Sequence, residues 1–215
     1  MARCLAVAAL PLPADAGADT RMTEEGGASD DYHAAFESLL RRVQQRLAEI
    51  PASALPIRMY IAGGAALHIH TGSRVTMDVD ATFSRRVLFA DDLSVSWRDD
   101  DGRARALYLD RNYNDTLGLM HEDAYGDATP LTIAGVDPSI LEVCVLSPLD
   151  LAVSKIARFS EQDRGDIETL ARAGLIDAAA LRARATEAVG GYVGDLRAVT
   201  LSIELACRIV QDATP

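Results

Sequence analysis

Two aspartates, Asp78 and Asp80, stand two residues apart in a segment where apolar and polar residues alternate. The alternation from Val75 to Thr82 predicts a half-buried strand. Its polar face would carry Thr76, Asp78, Asp80 and Thr82, and its apolar face Val75, Met77, Val79 and Ala81. Because Cα atoms two apart on a strand lie roughly 6.5 to 7 Å from each other, both carboxylates can ligate one divalent ion or bracket a pair. Hard oxygen ligands favour Mg²⁺ or Mn²⁺.

A glycine pair precedes this strand. Gly63 and Gly64 follow the short apolar run 57–62, and residues 65–69 can then open a helix. Two glycines at such a junction allow a tight turn and close approach of a ligand, and a helix N-terminus offers free N–H groups to phosphate oxygens. A phosphate-type turn followed by paired carboxylates predicts a site for metal-dependent nucleotidyl transfer.

Segment 63–80 resembles the first motif of the nucleotidyltransferase superfamily, because it joins a Gly-Gly turn to an R-x-T-x-D-x-D strand. Its G-G-x-A-L form resembles the bacterial AbiEii-type toxins and their uncharacterised relatives. Many superfamily members carry Gly-Ser at the turn, whereas this chain has Gly-Ala and therefore no hydroxyl there to hold the terminal phosphate. The resemblance implies that four residues of this segment bind the nucleotide: Gly63, Gly64, Arg74 and Thr76.

A second segment, residues 147–170, resembles the helical part of those toxins, in which a lysine precedes a D-x-x-D motif. Lys155, Asp163 and Asp166 take the matching positions, and Gln162 stands where a lysine is usual. The resemblance assigns nucleotide binding to Lys155 and Asp166, and it also gives Lys155 a catalytic role. It covers roughly residues 60–170.

Lys155 is the only lysine of the chain. It lies on a predicted helix that begins at Pro148, with Ser147 as the N-cap. There it can offer a compact ammonium group to a triphosphate, a role that lysine performs as a point charge. The alternative is a surface lysine whose stem covers apolar neighbours.

A third acidic ligand is needed to complete a metal site. Asp115 lies in the predicted strand 113–120, and the resemblance favours it because the third carboxylate of those proteins follows the Asp-x-Asp strand after one hairpin. Asp78, Asp80 and Asp115 are therefore the predicted metal ligands and catalytic carboxylates. Glu142 is the rival, since it faces away from the apolar side of the predicted strand 140–146.

Composition restricts the class of protein. The chain has 215 residues, 49% of them apolar, and contains no apolar run near 18 residues, which predicts a soluble globular protein that does not enter a membrane. A net charge of −11 argues against a broad polyanion-binding surface, although tRNA can still bind a local arginine-lined cleft. Three scattered cysteines without C-x-x-C spacing indicate neither disulfides nor zinc, and they fit a reducing cytoplasm.

The chain divides into three predicted parts. Residues 1–28 are interpreted as a disordered or misassigned extension, residues 29–147 as a nucleotidyltransferase-like core, and residues 148–215 as a C-terminal helical region. In the core, a helix capped by Asp30 or Asp31 precedes a hairpin whose turn lies at residues 99–102. The expected fold class is α+β, with a small mixed sheet and about four C-terminal helices.

These expectations lead to a metal-dependent nucleotidyltransferase that moves a nucleotidyl group from a nucleoside triphosphate such as ATP to a hydroxyl acceptor. The resemblance implies tRNA as the acceptor and a toxin role beside a cognate antitoxin. One alternative is a non-catalytic nucleotide-binding or antitoxin-like partner protein, which the close like charges of Asp78 and Asp80 argue against. Another is transfer to a small-molecule hydroxyl.

Overall fold

The computed structural model describes residues 27–89, 92–110, 112–113 and 118–214. Six helices are present in this part of the chain: α1 (Gly27–Leu47), α2 (Gly63–Thr71), α3 (Pro148–Ser154), α4 (Glu161–Arg172), α5 (Ala178–Ala188) and α6 (Leu196–Ala213). Its strands are β1 (Ile57–Ile61), β2 (Asp78–Phe83), β3 (Ser94–Arg98), β4 (Ala104–Asp110), β5 (Thr129–Leu131) and β6 (Leu141–Val145). The predicted α+β class, with a mixed sheet and C-terminal helices, is confirmed.

The strands form one sheet in the order β3-β4-β2-β1-β6-β5. The pairs β1/β6 and β2/β4 are parallel, whereas β1/β2, β3/β4 and β5/β6 are antiparallel. Strand β2 therefore lies in the interior of the sheet, with β1 on one side and β4 on the other. An interior strand is fixed by hydrogen bonds along both edges, so β2 is a rigid support for the Asp78 and Asp80 side chains.

Helix α1 packs against β3 and β4. Its buried side chains recur at helical spacing: Phe36, Leu39, Leu40, Val43 and Leu47. Tyr32, also on α1, meets Trp97 of β3 edge-on, with ring centroids 5.4 Å apart. The helix begins at Gly27, so Gly27 and Ala28 belong to it rather than to the predicted extension. Residues 1–26 lie outside the described part of the chain, where the predicted extension remains a prediction.

Strand β2 is shorter than the alternation predicted. It begins at Asp78, and residues 72–77 form a connection from α2 instead of strand. Val75 and Met77, expected on the buried face, are 41% and 52% exposed. The reason is that residues 75–77 precede the paired part of the strand, where Met77 contributes only a carbonyl that accepts the N–H of Tyr108 at 2.9 Å, and burial depends on what packs over a side chain.

The C-terminal region contains the four expected helices. The Ser147 side chain accepts the Asp150 N–H at 3.0 Å, which confirms the predicted N-cap of α3. Helix α6 packs on α4 and α5, and α2 contacts α3 and α4. Through these contacts the helical region reaches the Gly-Gly turn, while the proposed boundary at residue 147 stays a prediction. No helix in the described ranges is long and apolar enough to cross a membrane.

Candidate active site

A cleft of about 580 Å³ opens where the start of α2, strand β2 and the α3–α4 connection meet. Its lining includes most of the residues predicted from sequence: Gly63, Gly64, Thr76, Asp78, Asp80, Lys155 and Asp163. Asp110, Asn112, Tyr113 and Arg158 also line it. The two separate motifs of the sequence therefore meet in one cleft, although they are about seventy residues apart.

The Gly-Gly turn presents the start of α2 to this cleft. Ala62 precedes the helix in an extended conformation and provides no side-chain cap. The Ala66 N–H donates to Ala62 O at 3.1 Å, so the N–H groups of residues 63–65 have no acceptor within the helix. A Cβ on Gly64 would lie 3.1 Å from Thr76 Cβ, which is closer than ordinary contact, so Thr76 would have to shift by a few tenths of an ångström. These N–H groups form a site that suits an anionic ligand.

Three carboxylates, Asp78, Asp80 and Asp110, line the sheet side of the cleft. Asp80 of β2 lies directly opposite Asp110 of β4, and Asp78 lies opposite Tyr108. Burial, followed by repulsion from Asp78 and Asp110, raises the pKa of Asp80 to about 6. Asp78 is instead held by the Thr76 hydroxyl, which donates to its Oδ1. The site therefore concentrates negative charge at Asp80.

Sequence reasoning missed Asp110. In β4 the buried residues Leu107 and Leu109 alternate with Tyr108 and Asp110, so strand periodicity alone puts Asp110 on the face opposite the buried leucines. The sequence does not show which strand pairs with β4. Only the parallel register of β4 with β2 brings Asp110 beside Asp80.

The two residues predicted as the third ligand have different outcomes. Asp115 lies outside the described residues, so its role stays a prediction. Glu142 is opposite Arg58 in the β1/β6 pair and accepts a hydrogen bond from Arg58 Nε at 2.6 Å. It does not line the cleft, and its charge is balanced by this arginine.

The carboxylates that line the cleft are candidate ligands for a divalent cation. Within the described ranges, no three Asp, Glu, His or Cys side chains converge closely enough to enclose a metal ion by themselves. Mg²⁺ does not require such a cage, because it usually keeps several waters and uses one or two carboxylates together with substrate phosphates. A cation would also offset the burial and the repulsion that together raise the pKa of Asp80. The residues therefore fit Mg²⁺ or Mn²⁺ held jointly with a nucleotide.

Lys155 is a buried residue, not a surface one. It is 6% exposed, and its Nζ lies 2.7 Å from Asp166 Oδ2. Asp166 is 4% exposed and also accepts from Arg74 Nη2, at 3.1 Å to each oxygen. One carboxylate thus fixes two cations. Arg74 and Asp166 do not themselves line the cleft, so Asp166 acts on it through the lysine that it positions.

A second cation of the cleft, Arg158, was not identified from sequence. Its guanidinium is exposed and forms a two-point contact with Asp163, at 2.7 Å for both bonds. Asp163 also caps α4, since it accepts from the N–H and hydroxyl of Ser160. Phe159, between these residues, has a left-handed φ of 48°, which is uncommon for an aromatic residue. The only sequence signal for Arg158 was its position three residues after Lys155.

A mixed sheet with paired carboxylates on an interior strand, beside a Gly-Gly helix start, defines a nucleotidyltransferase-like core. Residues 38–204, well over half of the chain, match the family model described as a nucleotidyltransferase of unknown function (DUF6036). The chain belongs to this family. No curated protein and no solved structure gives a significant match.

Proposed function

We propose that this protein transfers a nucleotidyl group from a nucleoside triphosphate to a hydroxyl acceptor, with Mg²⁺ or Mn²⁺. The observation that carries the proposal is the meeting of Asp78, Asp80 and Asp110 with the Gly63-Gly64 turn and Lys155 in one cleft. Carboxylates on one side and phosphate-binding groups on the other are the two parts that metal-assisted phosphoryl transfer requires.

The triphosphate would lie across the start of α2. The backbone N–H groups at Gly63 and Gly64 would donate to phosphate oxygens, as at other helix N-termini. Lys155 and Arg158 would offset the charge that develops on the transferring and leaving phosphates. Because Asp166 and Asp163 hold these cations in place, the site needs little rearrangement when the nucleotide binds.

The carboxylates would hold the cation with the nucleotide. When bound, Mg²⁺ supplies positive charge to the triphosphate and lowers the pKa of the acceptor hydroxyl. Thr76 orients Asp78 through its hydroxyl. Asp110 lies on the side of Asp80 away from β1, a position from which it can accept the proton of an incoming hydroxyl. Asp115 remains the candidate that the family resemblance favours for a further ligand.

The resemblance of segments 63–80 and 147–170 to AbiEii-type toxins supports tRNA as the acceptor and a toxin role beside a cognate antitoxin. A small-molecule hydroxyl is the other acceptor class. Both classes use the same donor chemistry, so the donor half of the reaction is tested first.

The test is incubation of the protein with each labelled nucleoside triphosphate, Mg²⁺ and total cellular RNA, followed by separation of RNA, protein and small molecules. We expect label transfer to RNA that requires Mg²⁺ and disappears in Asp78→Asn. Asp100→Asn, in the exposed hairpin turn, is the control for loss of one negative charge. Transfer that persists in Asp78→Asn contradicts the assigned site.

A second candidate is non-catalytic nucleotide binding. The observation that favours it is the absence of a closed three-ligand metal cage among the described residues. It predicts calorimetric binding of a nucleoside triphosphate without transfer to any acceptor, in the wild type as well as in Asp78→Asn.

A further inference from the structure

A second cleft, of about 990 Å³, adjoins the candidate active site. It lies beyond the carboxyl-terminal ends of the parallel strands β2 and β4. Asp110, Asn112 and Tyr113 line both clefts, whereas Gly63 and Gly64 line the first cleft and not the second. A molecule in the second cleft can therefore contact Asp110 while a triphosphate occupies the first.

Two adjacent arginines, Arg85 and Arg86, line the second cleft. Both are exposed. Neither makes an ion pair or a side-chain hydrogen bond with any other described residue, whereas arginines elsewhere, such as Arg58, Arg158 and Arg184, are bound to carboxylates. Two carboxylates, Asp92 and Asp110, line the same cleft. In a chain of net charge −11, the adjacent guanidinium groups of Arg85 and Arg86, which bind no described carboxylate, still produce a local site for an anion.

The cleft also presents aromatic surface beside these cations. The rings of Phe83 and Phe89 line it, with centroids 5.6 Å apart and planes inclined by 58°. Both rings are half-buried, and Leu88, which lies between Arg86 and Phe89 in the sequence, is exposed. Arginines combined with aromatic rings are the combination by which proteins hold single-stranded nucleic acids, because the cations contact phosphates and the rings stack on bases.

We infer that the second cleft binds the acceptor, and that the acceptor is the 3′-terminal stretch of a single-stranded nucleic acid, whose phosphates contact Arg85 and Arg86 and whose terminal hydroxyl reaches Asp110. This inference rests on the proposed function and adds the substrate class and its binding site. The triphosphate does not need these arginines, because the Gly-Gly turn, Lys155 and Arg158 line the first cleft.

Charge separates this acceptor from the small-molecule alternatives. A cationic amino sugar would be repelled by Arg85 and Arg86 and attracted only by Asp92 and Asp110, which also line the cleft. A single mononucleotide would fill only part of a cleft of about 990 Å³. Since the chain as a whole is acidic, Arg85 and Arg86 attract phosphates locally, and the contact does not extend along a long polyanion.

The experiment measures the affinity of a 5′-fluorescein single-stranded RNA of about six nucleotides by anisotropy, across a salt series. The variants are the double changes Arg85→Ala/Arg86→Ala and Arg197→Ala/Arg208→Ala. Arg197 and Arg208 are exposed on α6, so the second variant is the control for the same change in net charge. Thermal unfolding verifies that both variants fold, and calorimetry with Mg²⁺ and a nucleoside triphosphate tests the donor site of the wild type.

We expect the cleft variant to weaken RNA binding at least about tenfold and the α6 variant to leave it unchanged. Two phosphate contacts give a slope of log K against log salt near −1.4, at about −0.7 per contact, and this slope should approach zero without the arginines. Equal affinities in all three proteins overturn the inference. A wild type that binds nucleotide but no RNA refutes the acceptor alone, whereas a wild type that binds no nucleotide refutes the proposed function.

Discussion

The carboxylate of Asp80 occupies the space that a side chain on Gly63 would need. A Cβ built on Gly63 would lie 1.8 Å from Asp80 Oδ2, and Gly63 has a left-handed φ of 57°. The Ala62 N–H also donates to the Asp80 backbone carbonyl at 2.9 Å. The phosphate-type turn and the carboxylate strand are therefore in direct atomic contact. Neither motif by itself predicts this contact.

Gly63→Ala should destabilise the protein and disrupt nucleotide binding, because it combines backbone strain with a collision against Asp80. Gly72→Ala is the matched control, since Gly72 has a φ of 62° but a Cβ there would meet no atom within 4 Å. Left-handed strain costs each variant about 1 to 2 kcal/mol, and the collision should add about 1 to 3 kcal/mol for Gly63→Ala. Denaturant unfolding measures both, and equal losses would contradict the close packing.

Asp78→Asn and Asp80→Asn should each lower Mg²⁺-dependent transfer by about a hundredfold or more, because each removes a charged oxygen ligand while keeping the side-chain shape. The measurement is the rate of label transfer, with circular dichroism to verify the fold. Asp100→Asn should retain the wild-type rate. Unchanged turnover in either cleft variant would remove that residue from the metal site.

Asp80→Asn should also stabilise the metal-free protein at neutral pH. The folded pKa of Asp80, about 6, lies above the ordinary 3.8, so the folded state binds this proton more tightly than the unfolded state. Protonated Asp80 makes its full contribution to the free energy of unfolding below about pH 4, and this contribution is lost as the pH rises through about 6. The free energy of unfolding of Asp80→Asn should therefore exceed that of the wild type by up to about 3 kcal/mol at pH 7. At about pH 4 the two free energies should be nearly equal.

Urea unfolding of both proteins at several pH values, with a chelator present, measures this difference. Added Mg²⁺ with a nucleoside triphosphate should reverse it, since the wild-type carboxylate gains a cation partner. A stability difference that is independent of pH would show that Asp80 has no raised pKa in the folded protein.

The third carboxylate can be assigned with three substitutions. Asp110→Asn should reduce transfer by about a hundredfold, because Asp110 lies opposite Asp80 in register. Glu142→Gln should have little effect on transfer, since Arg58 holds Glu142 outside the cleft. Asp115→Asn is the third arm. If Asp115→Asn is inactive while Asp110→Asn is active, the third ligand is Asp115, as the family resemblance favours.

Lys155→Ala should weaken nucleotide affinity by at least about tenfold, because it removes a buried ammonium group from the cleft. Lys155→Arg should restore it only in part, since a planar fork replaces a compact charge in a closely packed position. Calorimetry with Mg²⁺ present compares these variants with the wild type. Arg172→Ala, an exposed cation at the end of α4, is the charge control. Equal affinities for all would limit Lys155 to a structural ion pair with Asp166.

The sequence by itself determined the local features of the site. The Asp-x-Asp spacing put two carboxylates on one strand face, and the Gly-Gly pair predicted a strand-to-helix turn. Ser147 and Pro148 marked the start of α3, although this helix ends at Ser154 and Lys155, predicted to lie on it, is its C-cap. These predictions succeeded because each depends on short-range rules: strand alternation, glycine's access to left-handed backbone, and N-cap hydrogen bonding.

Tertiary structure decided which residues meet. The parallel pairing of β2 with β4 brought Asp110 to Asp80, and the packing of α2 on α3 and α4 brought Lys155 beside the Gly-Gly turn. Register between strands distant in the chain depends on the whole sheet and its packing, so one sequence does not reveal it. For the same reason the alternation of β2 failed at Val75 and Met77: burial is set by what covers a residue, and residues before the paired strand have no such cover.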